Sequence, residues 1–267
     1  MIVIPRAHKI FFGVICAAAL LVAVLGYFMP AGLAAMVSWL VLPPLHARFV
    51  GALYFYGAVF MASCMMARYQ AEVRFALPMI ALWTGLLFVI SILSLSAFDF
   101  ARLPVWIWFA SYLVYPLIAL VLAWRQRRPV ADDLPGPPLA SWARNFLLAQ
   151  GVVVSVFALA LLLAPNLMVA VWPWKITPLL AQTYGGPLLA YGGGSWQFAQ
   201  RRTWGGVRAV VPAMFVFTAG VLLASLIHRD LFSIGDVADW VWFMAFSAAT
   251  VLLGLMTRRV LQPGRSM

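Results

Sequence analysis

The polar side chains best suited to bind a ligand fall in two matching predicted membrane segments. Arg48 stands near the start of one segment, and Tyr54 and Tyr56 follow at deeper positions. A guanidinium beside tyrosine hydroxyls suits an anionic or carbonyl-bearing amphiphile, such as a lipid headgroup or a quinone. We predict a site in the outer half of the membrane, formed with residues of the matching segment: Thr183, Tyr184, Gly185, Gly186 and Tyr191. The alternative is that Arg48 extends to the outer headgroups.

A second group of polar residues is predicted at the outer ends of the membrane segments: Asp99, Arg102, His228, Arg229, Asp230 and Asp236. We expect these residues to lie in solvated loops, in which each ion pair contributes less than about 1 kcal/mol. The alternative is a pair across the molecule between Arg102 and Asp236, which hold equivalent positions in the two halves of the chain and carry opposite charges.

Two histidines, His46 and His228, are predicted on the outer side and are residue types that ligate haem or copper. They do not match one another in the two halves, which favours interfacial hydrogen bonding instead. Cys16 and Cys64 show no metal-ligand spacing and no Cys-x-x-Cys motif. The sequence therefore predicts no resident cofactor, and haem or a quinone stays as the alternative.

No Asp, Glu, Lys or Arg falls in the middle of a predicted span. Proton-coupled carriers place an ionisable group at this depth, so its absence argues against proton coupling and against an intramembrane acid–base pair. No nucleophile elbow, HExxH, Walker or GxGxxG motif is present. These absences lean against an enzyme.

The composition places most of the chain in a membrane. Of the 267 residues, 65% are hydrophobic and only 9% are charged, and the mean hydropathy is +0.99. Soluble domains carry about 25% charged residues. The net charge of +11 comes from short basic clusters between apolar runs, which is typical of cytoplasmic loops rather than of nucleic-acid binding. The predicted partners are the lipid bilayer and another membrane protein.

The second half of the chain repeats the first. Pro30, Trp39 and Gly57 recur 135 residues later as Pro165, Trp174 and Gly192, and the offset then becomes 134. The segments 106–109 and 240–243, Trp-Ile-Trp-Phe and Trp-Val-Trp-Phe, match at this offset. We predict an all-α polytopic membrane protein of two tandem four-helix repeats, 1–128 and 142–267, joined by a Pro-rich cytoplasmic linker at 129–141. The repeats are expected to be related by a pseudo-two-fold axis along the membrane normal, because each has an even number of spans.

Eight apolar runs are each long enough to cross a bilayer: 10–29, 48–67, 76–96, 104–124, 145–165, 180–199, 209–227 and 238–257. Of the 18 Lys and Arg residues, fourteen fall on one side of the membrane and four on the other. Those four are Arg48, Arg102, Lys175 and Arg229. This asymmetry predicts that both termini are cytoplasmic, in a bacterial inner (plasma) membrane.

Two features within the repeats have specific predicted roles: the Trp/Pro-rich segments and the Gly-rich sixth span. The Trp/Pro-rich segments 30–47 and 166–179 are predicted to lie in the outer interface as short or Pro-broken helices that cap the bundle, or else gate a cavity. The Gly-rich sixth span predicts close helix packing through Gly186, Gly193 and Gly194, with a broken helix lining a cavity as the alternative.

Three functions follow from these patterns. The leading expectation is a non-catalytic accessory, assembly or structural membrane subunit. The second is a small-molecule or lipid carrier with its pathway on the pseudo-two-fold axis. The third is a membrane enzyme that acts on a quinone or lipid at the outer interface.

Overall fold

The computed structural model describes residues 2–126, 134, 136–233 and 235–262. That part of the chain contains ten α-helices: α1 Arg6–Phe28, α2 Pro30–Met36, α3 Pro44–Met66, α4 Ala76–Leu93, α5 Leu103–Arg125, α6 Ser141–Leu163, α7 Pro165–Val171, α8 Pro178–Ala199, α9 Val211–Ile227 and α10 Val237–Leu261. The described residues form no strand, so the all-α prediction is confirmed.

Six of these helices are long and apolar enough to cross a membrane: α1, α3, α4, α5, α6 and α10. Helix α9 is apolar but has 17 residues, and α8, with 22 residues, is rich in glycine and is not among the six. The protein is therefore an integral membrane protein whose apolar helices contact lipid. The predicted boundaries were short by four residues at α1 and α3, because both helices begin before their apolar runs.

Proline is the first residue of several helices in this chain. Helices α2, α3, α7 and α8 each begin with a proline at the first helical position. The ring presets the helical φ angle there, and the missing N–H would have no intrahelical partner anyway. The prediction of a short helix in each Trp/Pro-rich segment is confirmed, since α2 and α7 each have seven residues.

The helices pack in the same pattern in the first half (2–126) and the second half (136–262). Helix α1 packs along α3 and α4 along α5, while α6 packs along α8 and α9 along α10. Between the halves, α3 packs against α9 and α4 against α8. Two isolated β-bridges, Val3–Tyr69 and Pro138–Thr203, tie the residues before α1 and α6 to the loops after α3 and α8.

An ion pair between the buried Glu72 and the half-exposed Arg208 joins the halves at the end where α3 and α8 finish. Glu72 is 2% exposed, and its carboxylate accepts hydrogen bonds from the Tyr69 amide at 2.9 Å and from Arg208 Nε at 2.8 Å. Arg208 Nη2 and the Arg68 amide also donate to it, which satisfies a charge that would be costly to bury alone. The sequence prediction did not single out Glu72.

Close helix packing occurs at some glycines and not at others. A Cβ at Gly192 would lie 2.5 Å from Ser155 Oγ, and one at Gly151 would lie 2.7 Å from the Trp196 amide, so α6 and α8 touch along their backbones. The expected close packing at Gly193 is wrong, because no atom lies within 4 Å of a Cβ built there. Gly193 faces away from α6, since the next helical residue is rotated by about 100° from Gly192.

Of the predicted linker 129–141, positions 129–133 and 135 fall outside the described residues, as do Arg127, Arg128 and Arg265. Its described part, 134 and 136–141, ends at the first residue of α6. There, Leu139 N donates to Arg202 O at 2.8 Å, as Ile4 N donates to Arg68 O at 3.1 Å in the first half.

Candidate functional site

A cavity of about 280 Å³ lies in the first half of the molecule, between helices α1, α3, α4 and α5. Helix α2 and the residues after it cover one end, and α8 contributes Thr183, Tyr184, Pro187 and Ala190 to the wall. The lining on α3 runs from Val50 to Met61, a distance of about 16 Å along the axis at 1.5 Å per residue. The cavity is therefore an elongated slot.

The walls of this cavity are almost entirely apolar. Leucine, isoleucine, valine, alanine and methionine side chains form most of the surface, together with the rings of Trp39, Trp83 and Trp108. No charged side chain is found among the lining residues. An apolar cavity of this kind stays dry and takes up apolar molecules.

The cavity reaches the outer surface of the bundle between α1 and α5. Leu21 of α1 and Ile107 of α5 both line it, and they are 56% and 58% exposed. At the other end of this gap, the Phe11 and Tyr115 rings meet edge to face with centroids 6.4 Å apart. The opening faces the side of the helix bundle, which in a membrane is lipid.

Tyrosine hydroxyls and one indole are the main polar groups of the lining. Tyr54 and Tyr112 hydrogen-bond to each other through their hydroxyls. The hydroxyls of Tyr56 and Tyr184 are buried and have no hydrogen-bond partner among the described residues, and the same holds for Trp39 Nε1. Buried side-chain atoms without a partner also occur in the second half, at Trp172 Nε1, Trp174 Nε1 and the Tyr191 hydroxyl, so these groups do not distinguish the cavity.

An aromatic frame holds the outer end of the cavity. Trp39 packs edge to face on Trp108 with centroids 5.2 Å apart, and Trp108 Nε1 donates to Ser91 Oγ at 2.8 Å. In the second half, Trp174 packs on Trp242 at 4.9 Å, and Trp242 Nε1 donates to Ser225 Oγ at 3.0 Å. The two frames match residue for residue at the sequence offset.

Two aliphatic residues of the cavity wall have aromatic residues at the equivalent sequence positions of the second half. Val22 and Val37 line the cavity, and the residues 135 positions later are Phe157 and Trp172. The Phe157 and Trp172 rings pack with centroids 5.9 Å apart. Phe157 is 41% exposed, whereas Trp172 is 6% exposed and also contacts Trp242 at 5.7 Å.

The structure brings four of the eight predicted ligand-site residues to the cavity: Tyr54, Tyr56, Thr183 and Tyr184. Gly185 packs against Leu162, and Gly186 lies beneath Leu86. Tyr191 contacts the Tyr56 ring at 5.2 Å but does not line the cavity.

Arg48 lies elsewhere and does not line the cavity. Its guanidinium donates to Nε2 of His228, the residue that follows α9. Arginine has only donors, so His228 accepts and its ring is neutral, with the proton on Nδ1. Partial burial, together with the Arg48 charge, lowers the pKa of His228 from its ordinary value of 6.5, and Asp230 opposes this shift.

The predicted outer charge cluster does not converge on one site. Arg102 donates to Ser38 and to the Ala35 carbonyl, while the Asp236 side chain accepts from the Ala238 amide at the start of α10 at 2.9 Å. Among the described residues no ion pair joins Arg102 to Asp236, so the alternative of a pair between them is wrong. Both side chains satisfy nearby backbone groups instead. Of the other members, Asp99 lies in an exposed loop, and Arg229 and Asp230 are exposed in a short 3₁₀ helix.

The two outer histidines both have protein partners at Nε2. His46 Nε2 donates to the Lys175 carbonyl at 2.6 Å, and His228 Nε2 accepts from Arg48. Within the part of the chain that the structure describes, no three His, Cys, Asp or Glu side chains are grouped closely enough to hold a metal ion.

Sequence reasoning predicted four of the residues that line this cavity and missed the rest of its wall. The interpretation concentrated on polar residues and did not consider aliphatic positions such as Val22 and Val37. The signal was present in the duplication, since both positions hold large aromatic residues in the second half. No known protein family, curated protein or solved structure matches this chain.

Proposed function

We propose that the chain crosses a bacterial inner membrane eight times, as two tandem four-helix repeats with both termini cytoplasmic. In this proposal α8 and α9 are the two further spans, in addition to the six helices that are long and apolar enough to cross a membrane. The duplicated indole–serine hydrogen bonds at Trp108 and Trp242 support the repeat, as do the matching β-bridges at Val3 and Pro138. The reciprocal contacts α3–α9 and α4–α8 are those that a two-fold axis between the halves requires.

The orientation is tested by cysteine labelling from one side of the membrane. Cys16 and Cys64 are first replaced by alanine, and single cysteines are then placed at Ser141 and Ser233. We expect an impermeant maleimide added to intact cells to label position 233 only. Labelling of both positions from the same side would contradict the eight-span topology.

We propose that this protein binds a small lipophilic molecule in the cavity of the first repeat, without catalysing its conversion. The observation that carries the proposal is the cavity itself. A space of about 280 Å³ is open beside Val37, whereas the residue at the equivalent position of the second half, Trp172, is 6% exposed and packs in an aromatic cluster. Empty apolar space in a core is destabilising, at about 24 cal/mol per Å³, so an occupant in the membrane would offset this cost.

The gap between α1 and α5 supports access from the lipid phase. The exposed lining residues Leu21 and Ile107 place the opening on the apolar side of the bundle, where lipophilic molecules are concentrated. This function unites two expectations from the sequence: a protein without catalytic motifs, and a carrier of a small molecule or lipid. The cavity lies within the first repeat, so we place the site beside the pseudo-two-fold axis and not on it.

A photoreactive diazirine derivative of a medium-chain alkane tests this function. The protein is reconstituted in phosphatidylcholine nanodiscs, irradiated with the probe and digested for mass spectrometry. We expect labels on α3 and α5 residues of the cavity, which dodecane competes away, and a non-competable background on lipid-facing residues such as Val153. The Val37→Trp variant should lose the competable labels. Labelling without any competable fraction would refute the binding function.

A further inference from the structure

The cavity has about the length of one leaflet of a membrane. Its lining on α3 extends from Val50 to Met61, which is about 16 Å at 1.5 Å per residue. Half of a hydrocarbon core of about 30 Å is about 15 Å. Dividing the cavity volume of about 280 Å³ by the length of the lining gives a mean cross-section of about 17 Å². A slot of this shape has the width of one extended alkyl chain.

The side opening gives a lipid chain a route into this slot from within the membrane. Leu21 of α1 and Ile107 of α5 line the cavity and are 56% and 58% exposed. Farther along the same gap, the Phe11 and Tyr115 rings meet edge to face. Ile107 is four residues from the first residue of α5, about 6 Å along the axis. The opening is therefore close to the end of the bundle, at the depth where the acyl chain of a bilayer lipid begins.

A positive charge stands at the rim of this opening. Arg102 directly precedes α5, and Pro104, two positions later, lines the cavity. The Arg102 guanidinium donates to Ser38 and to the Ala35 carbonyl, on either side of the lining residue Val37. These hydrogen bonds use two of its five N–H groups. No carboxylate among the described residues forms an ion pair with it, so its charge and its other donors suit a phosphate.

The depth of Arg102 agrees with the position of a phosphate. Arg102 precedes Ile107 by five residues, or about 7 Å along the axis of α5. A bilayer of about 40–45 Å with a core of about 30 Å has a headgroup region of about 5–8 Å on each side. Trp106 is 57% exposed, as is typical of indole rings at a membrane interface. When a chain enters beside Ile107, Arg102 therefore lies at the level of its headgroup.

The second half carries the opposite charge at the equivalent place. Asp236 stands 134 residues after Arg102, and its carboxylate accepts from the Ala238 amide at 2.9 Å. A phosphate beside Asp236 would meet a like charge, which is unfavourable. The cation at the rim therefore belongs to the half of the molecule that contains the cavity.

We propose that the cavity holds one acyl chain of a membrane phospholipid whose phosphate is bound by Arg102. The apolar walls bury the chain, and the guanidinium at the rim holds the headgroup at the membrane surface. This inference rests on the proposed function, because it names the class of lipophile that the same cavity binds.

Two photoreactive lipids with identical chains test the class: a phosphatidylcholine and a diacylglycerol, each with a diazirine in the middle of one acyl chain. Each is added at a low mole fraction to the protein in phosphatidylcholine nanodiscs, and cross-linked residues are identified by mass spectrometry. Leu53 and Ile80 line the cavity and are buried, so they report a chain inside the slot. We expect the phosphatidylcholine probe to label them about fivefold more than the diacylglycerol probe. The lipid-facing Val153 should be labelled equally by both.

Arg102→Gln should reduce labelling by the phosphatidylcholine probe to the diacylglycerol level and leave diacylglycerol labelling unchanged. Arg102→Lys keeps the charge but not the guanidinium that bonds Ser38 and Ala35, and it should keep most of the difference between the probes. Arg229→Gln is the matched control, because Arg229 is an exposed arginine after α9 that does not line the cavity. It should label like the parent.

The outcomes separate this inference from the proposed function. Equal labelling of the lining by the two lipids, or the same loss in Arg102→Lys as in Arg102→Gln, would overturn phosphate binding while leaving a lipophile site in place. If neither lipid labels Leu53 or Ile80 but the alkane diazirine gives competable labels, the occupant is not a phospholipid chain. If none of the three probes labels the lining, both this inference and the proposed function fail.

Discussion

The two halves of this protein share an aromatic frame but differ in what the frame encloses. In both, a tryptophan from the segment before the second long helix packs on a tryptophan that donates to a serine, as at Trp108–Ser91 and Trp242–Ser225. The first frame borders a cavity, whereas the second borders a packed cluster centred on Trp172. One difference between the two regions is that Val37 lines the cavity, whereas Trp172, at the equivalent sequence position, is a buried indole.

This comparison separates scaffold from site. Some residues recur in both halves with the same contact, such as Trp108 and Trp242, each of which donates to a serine. Other equivalent positions differ, such as Val37, which lines the cavity, and Trp172, which is buried in an aromatic cluster. Under the proposed repeat, the second half serves as an internal control for the first.

The largest effect is expected from opening the filled half. Trp172→Val removes an indole that is 6% exposed and should lower stability by about 3–5 kcal/mol, the usual range for deleting a large buried aromatic side chain. Thermal unfolding in detergent micelles measures the loss as a lower Tm. Trp124→Val, at a residue 62% exposed, is the control and should melt like the parent.

The Trp172→Val variant also tests the comparison through ligand binding. If filling by Trp172 is what distinguishes the halves, Trp172→Val should bind a second equivalent of dodecane and regain part of its lost stability when the alkane is added. A variant that melts at the parent temperature would show that Trp172 does not fill the second half.

The next effect separates two equivalent glycines. A Cβ at Gly192 would lie 2.7 Å from the Ser155 backbone nitrogen, whereas one at Gly57 would meet only the Trp83 ring at 3.7 Å. Gly192→Ala should therefore destabilise by about 1–3 kcal/mol through overpacking. Gly57→Ala should be neutral or stabilising by up to about 1 kcal/mol, because alanine favours the helix. Melting temperatures of the two variants provide the comparison.

Gly193→Ala is the control within the same helix, since no atom lies within 4 Å of the added Cβ. It should melt at or above the parent temperature. Equal losses at positions 192 and 193 would mean that α8 is destabilised by a general effect on the helix and not by contact with α6.

A smaller effect, on binding, comes from filling the hollow half. Val37→Trp places in the first half the residue that Trp172 provides in the second, and it should weaken dodecane binding about tenfold, or about 1.4 kcal/mol. Val153→Trp, at a residue 66% exposed, changes the lipid-facing surface and should leave binding unchanged. Fluorescence titration measures both, and unchanged affinity in Val37→Trp would place the ligand outside this cavity.

The smallest effect concerns the outer link between the halves, where Arg48 donates to His228. The pKa of His228 in the folded protein lies below 6.5, so the neutral, accepting form stabilises the fold. This stabilisation is fully present above pH 6.5 and is lost as the pH falls through the lowered pKa. Because His228 is partly exposed, we expect only a slight fall in Tm between about pH 7 and pH 5.

His228→Gln should flatten this pH profile, because the glutamine oxygen accepts from Arg48 at any pH in the range. The measurement is the Tm of parent and variant in matched buffers. An identical slope in the two proteins would assign the pH dependence to other groups.

The sequence predicted the helical elements well because their signals are local. The apolar run of α1 and the prolines Pro30 and Pro165 mark helices that the structure contains. Four of the eight proposed site residues line the cavity, because helical spacing on α3 and α8 places Tyr56 and Tyr184 on inward faces. The failures concern distant partners: the alternative of an Arg102–Asp236 pair and the expected packing at Gly193 both depend on which helix stands opposite.

By itself, the sequence determined that the protein is α-helical, with apolar helices long enough to cross a membrane, because hydropathy is a property of the chain alone. The tertiary structure decided that Val22 and Val37 line a cavity, that Glu72 meets Arg208, and that Arg48 turns to His228. The physical reason is that a cavity or a long-range pair exists only between helices. The effect of a side chain's volume or charge on the fold depends on which residues pack against it.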